Sequence, residues 1–269
     1  MTCLIGVTTF KKPTALRDIL NSLIEYNYHE GNTIMIADDD NGSSKEVYQE
    51  FRKRCKLVYA TGPNGGISVN KNRIIKYFLA KPHLDELVLL DDDLVFSRKG
   101  LLEHCREACK EIKLPFISGL WTDFESKDDL SKMQQSGLHW SEQFPVIAET
   151  KLTTWHGGKH GCMLYFQREA IEKVGYYNIF PMGYGFEHSI YFSRLLRTYA
   201  MAPECYPILK YSHLYFHGNN IPNNYEVNVD KVFEINGPVH QKLLNDVYNG
   251  YGLYSKDSGL KKKKEQVLD

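Results

Sequence analysis

The first 112 residues alternate short apolar segments with amphipathic ones, and this alternation constrains the fold more than any other feature. Helical spacing of apolar residues begins at Pro13 and places Leu16, Ile19, Leu20 and Leu23 on one face. Runs of aliphatic and β-branched residues predict buried strands at 3–10, 33–37, 56–61 and 86–90. Strands alternating with helices indicate βαβ units and a mostly parallel sheet.

Acidic residues follow two of these predicted strands, at the end where open α/β sheets bind ligands. Asp91, Asp92 and Asp93 come directly after the fourth strand. Three adjacent carboxylates repel one another unless a cation neutralises them, and hard oxygen ligands at i and i+2 suit Mg²⁺ or Mn²⁺. An exposed acidic turn is the alternative, but the position of the three aspartates directly after a buried strand favours a metal and phosphate site.

The second and third strands also end in polar segments. Asp38 and Asp39 could accept hydrogen bonds from a nucleotide base or ribose, although aspartate is also common in ordinary turns. Asn64 and Gly66 precede a helix whose first N–H groups could bind an anion, with Lys71 adding positive charge one turn later. The pattern is neither GxGxxG nor a Walker A loop, and a plain turn is the alternative.

Composition excludes several classes of function. Lys+Arg and Asp+Glu both number 33, so the chain has no global basic field for nucleic acid. Six scattered cysteines without a CxxC pair predict neither a zinc site nor a disulfide framework. No apolar run approaches the roughly 18 residues of a spanning helix, and the N-terminus lacks the features of a signal peptide. We therefore expect a cytoplasmic protein.

The second half has less regular patterning. Residues 122–150 are polar and predict a long loop or lid, 161–167 a strand, 168–174 a short helix and 187–199 a longer one. After about residue 205 we expect only short segments. We predict a single domain over 1–255, with a nucleotide-binding half at 1–112 and an acceptor-binding half at 113–255. The basic segment 256–269 predicts a flexible tail, with weak contact to anionic lipid as an alternative.

Several segments, in order along residues 3–217, resemble the GT-A glycosyltransferases of the family 2 type. They read IGVTTFKKPTALRDILNSL, IMIADDDNGSS, PNGGISVNKN, LVLLDDDLVF, GGKHGCMLYFQREAIEKVGYYN and GYGFEHSIYFSRL. The resemblance implies an α/β fold of the GT-A (Rossmann-like) type, with a mostly parallel central sheet flanked by helices and an irregular acceptor-side half. It also implies transfer of a sugar from a nucleotide sugar, with UDP-sugar favoured, and dependence on Mn²⁺ or Mg²⁺.

The resemblance carries over to particular residues. It implies Asp91 and Asp93 as metal ligands, with His213 or His217 as a further ligand. Lys71 stands where the family commonly has an arginine. The residues implied to bind the nucleotide sugar are Thr8, Thr9, Phe10, Asp38, Asp39, Asn64, Gly66, Lys71, Asp91 and Asp92. Those interpreted as acceptor contacts are Trp155, His156, Gly157 and Gly158, with core packing an equal interpretation for Trp155.

The chain departs from the family where a Glu-Asp pair commonly supplies the catalytic base. Here the pair is Glu187-His188, and either side chain can accept a proton. We favour Glu187, because a helix N-terminus stabilises an ionised carboxylate and neighbours on a helix point about 100° apart, so that His188 points elsewhere. Resemblance to family 2 implies inversion at the transferred sugar.

Other functions stay open at this point. A catalytically silent GT-A domain that only binds nucleotide or carbohydrate would explain the missing Glu-Asp pair. Nucleotidyltransferases usually have a glycine-rich first loop that carries Lys or Arg. A nucleotidyltransferase is disfavoured here, because the loop TTFKKPT after the first strand has no glycine. The acceptor could be a surface glycan or its precursor, a protein, or a modified nucleic-acid base as in phage-type DNA modification. The sugar, the linkage and the oligomeric state do not follow from the sequence.

Overall fold

The computed structural model describes residues 1–119, 121–122, 146–158, 161–202, 205–210, 214–216, 228–257 and 266–268. At its centre, four parallel strands lie in the order β3-β2-β1-β4. Their bounds are β1 Cys3–Thr9, β2 Thr33–Asp38, β3 Leu57–Thr61 and β4 Glu86–Asp91. These are the four strands that the apolar runs predict. Nearly every position in them is buried, as expected for parallel strands covered on both faces.

Helices cover both faces of this sheet and form a three-layer α/β architecture. One apolar cluster packs α1, α2 and α4 against the first face, and a second packs α3, α5 and α6 against the other. The helices are α1 Pro13–Glu25, α2 Lys45–Phe51, α3 Ile67–Ala80, α4 Leu101–Ile112, α5 Arg168–Val174 and α6 Glu187–Thr198. The predicted apolar face of α1 is the face that it buries, and the predicted helix at 168–174 is confirmed.

The second half of the chain extends the sheet beyond β4. Its next strand is antiparallel to β4, which places the beginning of that strand beside the end of β4. The added strands follow in the order β10-β6-β11-β9-β8. Their bounds are β6 Phe116–Ser118, β8 Val146–Glu149, β9 Thr153–His156, β10 Met163–Gln167 and β11 Tyr206–Leu209. A small second sheet joins β5 Leu94–Phe96, β7 Trp121–Thr122 and β12 Leu214–Phe216.

Three elements differ from the sequence-based expectation. The helix α7 spans Val229–Tyr248, 20 residues, where we expected short segments. Strand β8 lies in the predicted loop 122–150, of which 123–145 are outside the described residues. A strand β13, Gln266–Leu268, lies in the predicted flexible tail and pairs antiparallel with β3, which corrects that prediction for 266–268. The lysines at 261–264 lie outside the described residues.

The cysteines and the helix lengths bear on the class of protein. All six cysteine thiols are unpaired. Among the described helices, none combines the length and the apolar character that crossing a membrane requires.

Candidate active site

Strands β1 and β4 end side by side, and their last residues carry the centre of the candidate site. Thr8 stands opposite Asp91 in the ladder between the two strands. The Thr8 hydroxyl lies 3.2 Å from the carbonyl oxygen of Leu90 and 3.3 Å from Oδ1 of Asp91. The N–H of Asp91 donates to the carbonyl of Cys162, just before β10, at 3.0 Å. The end of β4 is therefore fixed from both sides.

The acidic triplet after β4 divides into one inward and two outward carboxylates. Asp92 accepts a 2.7 Å hydrogen bond from the Thr9 hydroxyl, and its side chain is 8% exposed. Burial raises the pKa of Asp92 to about 7, against the attraction of Lys12. The side chains of Asp91 and Asp93 are 19% and 20% exposed. Asp92 thus braces the turn, whereas Asp91 and Asp93 present carboxylates to the edge of the sheet.

A divalent cation fits this pair of outward carboxylates. Burial raises the pKa of Asp93, and the charge of Asp91 adds to the rise because the two carboxylates lie close together. Mg²⁺ and similar ions bind through one or two carboxylates together with phosphate oxygens and water. Within the described ranges no group of three His, Cys, Asp or Glu side chains forms a complete metal site. His213 and His217, the predicted further ligands, lie outside the described residues.

Two lysines already lie against these carboxylates. Lys12 Nζ is 3.3 Å from Asp93 Oδ2, and Lys71 Nζ is 3.1 Å from Asp91 Oδ1. Lys71 is wholly buried on α3, and its Nζ also lies 3.1 Å from Nε2 of His188. We expected Lys71 to bind the nucleotide sugar from a helix N-terminus. The structure places its ammonium between Asp91 of β4 and His188 of α6, as a link between the two elements. Its contact with a nucleotide sugar stays a prediction.

His188 reaches this link and also contacts Glu187, which corrects one expectation. His188 Nε2 lies 3.3 Å from Glu187 Oε1, so His188 does not point away from Glu187. Burial raises the pKa of Glu187, and the attraction of Lys71 only partly offsets this. The expected ionisation of Glu187 at the helix N-terminus stays a prediction. Glu187 Oε2 is buried and has no hydrogen-bond partner among the described residues. Such an oxygen is able to accept a proton from a bound group.

A glycine makes room for the His188 ring. A Cβ atom at Gly161 would collide with that imidazole. The ring also meets Tyr177 edge-on, with the centroids 6.0 Å apart. The position of His188 near Lys71 therefore depends on a residue without a side chain in the loop before β10.

Asp39 occupies the helix N-terminus that we expected to bind an anion. Its carboxylate accepts hydrogen bonds from the N–H groups of Gly65 and Gly66, the shortest at 2.8 Å, and pairs with Arg73 Nη1 at 2.6 Å. The N–H of Ile67 donates to the carbonyl of Gly183 at 2.8 Å. These groups already have partners inside the protein, and anion binding at Asn64 and Gly66 stays a prediction.

Asp38 also has internal partners. Its carboxylate accepts from the Tyr59 hydroxyl at 2.6 Å and from the N–H groups of Ser44 and Asp40 at 2.8 and 3.0 Å. Both Asp38 and Asp39 are buried. Burial also raises the pKa of Asp39, against the attraction of Arg73. Both carboxylates shape the loops around the edge of the sheet, and a contact of either with a nucleotide base stays a prediction.

Two of the predicted acceptor contacts, Trp155 and His156, lie away from this centre. Strand β9 lies four strands from β4 in the sheet, roughly 19 Å at about 4.8 Å per strand. Trp155 is partly buried against the second apolar cluster, and Nε2 of the buried His156 lies 2.9 Å from the Thr154 hydroxyl. A Cβ atom on Gly157 would meet nothing within 4 Å in the part of the chain that the structure describes, and Gly158 is buried. Core packing therefore accounts for Trp155.

Sequence reasoning missed Lys12 and Arg73. Arg73 belongs to the run Asn70–Arg73 at the start of α3, in which four consecutive polar residues are all buried. Asn70 donates to the carbonyls of Thr9 and Ala37, and Asn72 exchanges two hydrogen bonds with the backbone of Tyr177. Four consecutive residues cover a full turn of a helix, so some of these polar side chains must face the core of the protein. That pattern was the available signal for a buried polar network.

A comparison with known families identifies the family of the chain. Residues 4–175 match the family described as Glycosyl transferase family 2. The chain belongs to this family. This family 2 glycosyltransferase is also 28% identical, over 232 residues, to an uncharacterized glycosyltransferase of Acanthamoeba polyphaga mimivirus. That alignment covers 81% of this chain and 84% of the viral protein.

Solved structures agree on the fold. The structure of S. aureus TarS 1–349 in complex with UDP has a TM-score of 0.56 at 12% identity, and the match covers 93% of this chain and 71% of TarS 1–349. GalNAc-T7 with UDP, GalNAc and Mn²⁺ has a TM-score of 0.56 at 10% identity, over 80% of this chain. The chain spans 38% of the longer TarS structure and 44% of GalNAc-T7. The family 2 chain thus has the GT-A glycosyltransferase fold.

Proposed function

We propose that this glycosyltransferase transfers a sugar from a nucleotide sugar, UDP-sugar first, to an acceptor hydroxyl with inversion and with Mn²⁺ or Mg²⁺. The observation that carries the proposal is the chain of contacts from Asp91 through Lys71 and His188 to Glu187, each about 3 Å. It connects a carboxylate at the end of β4 to a buried carboxyl at the start of α6 through one ammonium and one imidazole. A metal-dependent inverting transferase uses one carboxylate to hold the cation and another to accept the proton of the acceptor hydroxyl.

The nucleotide sugar lies, in this proposal, over the ends of β1 and β4. Asp91 and Asp93 would hold the cation, which when bound would supply charge neutralisation for the departing diphosphate. Thr8 and Thr9 brace these carboxylates, and the partly exposed Phe10 borders the same edge. UDP is bound in the TarS structure, and UDP with Mn²⁺ in that of GalNAc-T7, which supports UDP and a divalent cation as the first choices.

Glu187 is the proposed base. Its unpartnered Oε2 would accept the proton of the acceptor hydroxyl as the acceptor oxygen attacks the sugar carbon and the bond to the diphosphate breaks. A raised pKa suits this role, because a base works best when its pKa is near the working pH. His188 contacts the other oxygen of the carboxyl group, at 3.3 Å. The alternative base is His188, whose Nε2 lies between Glu187 and Lys71.

We further propose a surface glycan or its precursor as the acceptor. The residues 113–255 that contribute α6 and α7 would form the acceptor side, and the residues 1–112 the nucleotide side. The acceptor binds away from β9, because Trp155 and His156 are engaged in packing and internal hydrogen bonds.

The test uses the purified chain with UDP-glucose, UDP-galactose, UDP-N-acetylglucosamine and GDP-mannose, each with and without Mn²⁺. We expect one nucleotide sugar to raise the melting temperature only with Mn²⁺, since a ligand that binds the native state stabilises it. We also expect slow release of its nucleotide with water as acceptor. Acceleration by oligosaccharides, rather than by DNA with hydroxymethylated bases, would identify the acceptor class. Absence of both stabilisation and release with every nucleotide sugar would contradict the proposal.

The variants separate the two halves of the mechanism. Asp93→Asn should lose the Mn²⁺-dependent stabilisation, whereas Glu187→Gln should keep it and lose turnover by about 10² or more. If Glu187→Gln turns over at the wild-type rate and His188→Ala does not, the histidine is the base.

A further inference from the structure

Helix α7 packs against α6 and holds the segment 181–186 that leads directly into Glu187. Its Asn236 is wholly buried. The amide oxygen of Asn236 accepts the N–H of Met182 at 3.1 Å, and the amide nitrogen donates to the carbonyl of Tyr184 at 2.7 Å. One side chain thus pairs with both a donor and an acceptor of the segment, which restricts its backbone on either side of Gly183.

The last residue of the segment is held in an unusual conformation by the same helix. Phe186 has a φ of 67°, in the left-handed region that residues with a side chain rarely adopt. Its ring stacks on His240 at 4.6 Å and meets Phe233 edge-on at 5.1 Å, and both partners belong to α7. Because Phe186 directly precedes Glu187, its backbone conformation determines the direction in which α6 begins.

The other side of the segment lies against the turn before α3. The carbonyl of Gly183 accepts the N–H of Ile67 at 2.8 Å. A Cβ atom at Gly66 would collide with the backbone of Gly183, so the two backbones are in direct contact. Segment 181–186 is therefore enclosed between the Gly66 turn on the nucleotide side and α7 on the outside. It has little freedom to move unless one of these two neighbours changes.

We propose that α7 is a positioning element for Glu187 and that Asn236 is its principal positioning residue. Loss of the Asn236 amide releases segment 181–186, so that the Glu187 carboxyl group leaves its place beside His188 and Lys71. The inference rests on the proposed function in taking Glu187 as the base. It is separate from the family match, which ends at residue 175, before both Glu187 and α7.

The experiment compares Asn236→Ala with Asn245→Ala, the same change at an exposed position of the same helix. Hydrogen exchange measures the backbone amides of 181–190 without any substrate. Nucleotide release from the active nucleotide sugar, with water as acceptor, gives kcat and KM. For Asn236→Ala we expect at least tenfold faster exchange at Met182, at least tenfold lower kcat and a KM within twofold of wild type. Asn245→Ala should match wild type in all three.

The outcomes distinguish this inference from the proposed function. Wild-type exchange or wild-type kcat in Asn236→Ala overturns the positioning role. Wild-type turnover in Glu187→Gln overturns the base assignment instead, and faster exchange in Asn236→Ala then still supports the hold of α7 on the segment. Should Asn236→Ala fail to fold, Phe233→Ala replaces it, because Phe233 is 59% exposed and contacts Phe186. The same direction of change is expected there, and unchanged exchange and kcat overturn the inference.

Discussion

Lys71 Nζ lies 3.1 Å from His188 Nε2, although the two residues are 117 positions apart in the sequence. The same ammonium lies 3.1 Å from Asp91. A wholly buried ammonium is costly without anionic or polar partners, so these contacts hold the end of β4 and the start of α6 in one arrangement. The relationship explains how a residue of α3 can influence the ionisation of a residue at the start of α6.

The pH dependence of turnover should reveal this influence. Burial raises the pKa of Glu187, and Lys71 opposes the rise. A base must be ionised, so activity increases as the pH rises through this pKa. Lys71→Met removes the opposing attraction and should move the increase to higher pH, whereas Lys71→Arg, which keeps the charge, should move it less. Profiles of kcat/KM between about pH 5 and 9 measure this, and an unmoved or lowered midpoint in Lys71→Met contradicts the assignment.

Glu187→Gln should stabilise the protein while reducing its activity. The pKa of Glu187 is raised above its ordinary value of 4.5, so protonation favours the folded state. That contribution is complete below the unfolded pKa and is lost as the pH rises through the folded pKa. Glutamine resembles the protonated form at every pH. Urea unfolding should show the variant more stable than wild type at pH 8, by about 1.4 kcal/mol per unit of pKa shift, and equal to it at pH 4.

Substitution of two glycines should separate the role of His188 from general effects of the fold. Gly161→Ala places a methyl group against the His188 ring and should displace it from Lys71, with a loss of turnover of tenfold or more. Gly157→Ala is the matched control, because a Cβ atom there meets none of the described residues within 4 Å. Nucleotide release and the His188 ring signals in NMR spectra provide the measurement. Equal effects of the two substitutions would argue against a precise placement of His188.

The buried pair Asp39–Arg73 should matter far more to stability than a surface pair of similar length. Asp39→Ala leaves the Arg73 guanidinium buried without its carboxylate, which should cost about 3–5 kcal/mol. The double variant Asp39→Ala/Arg73→Met should recover part of the loss. In the exposed pair Arg17–Glu50, at 2.9 Å, Glu50→Ala should cost less than about 1 kcal/mol. Urea denaturation of the four proteins checks the ranking, and similar costs at both sites would refute it.

Asp93→Asn should abolish Mn²⁺-dependent nucleotide binding without unfolding the protein. The side chain is one of two outward carboxylates at the end of β4, and an amide is a poorer ligand for a hard cation. Glu46→Gln on α2 removes the same charge from an exposed position and should bind as wild type. Titration calorimetry of UDP with Mn²⁺ measures both. Wild-type affinity in folded Asp93→Asn would remove Asp93 from the metal site.

Local sequence patterns predicted the strands and helices whose apolar residues are continuous or recur at a regular spacing. The strands β1 to β4 and the helix α1 follow from apolar runs and helical spacing. Helix α7 escaped prediction because Gly237 and Pro238 lie inside it. Both residues are unfavourable in a helix interior, since glycine loses more backbone entropy on folding than other residues and proline lacks an N–H. Packing of α7 against α6 and segment 181–186 outweighs that local preference.

The sequence by itself determined that acidic residues stand at the ends of β2 and β4, because the positions of the strands along the chain and their burial follow from a local apolar pattern. Only the tertiary structure decided what each carboxylate does. Asp39 fills the N-terminus of α3, Asp92 turns inward, and Asp91 meets Lys71 at the edge. The physical reason is that a buried polar group takes whichever partner the fold brings within about 3 Å, and those partners come from distant parts of the chain.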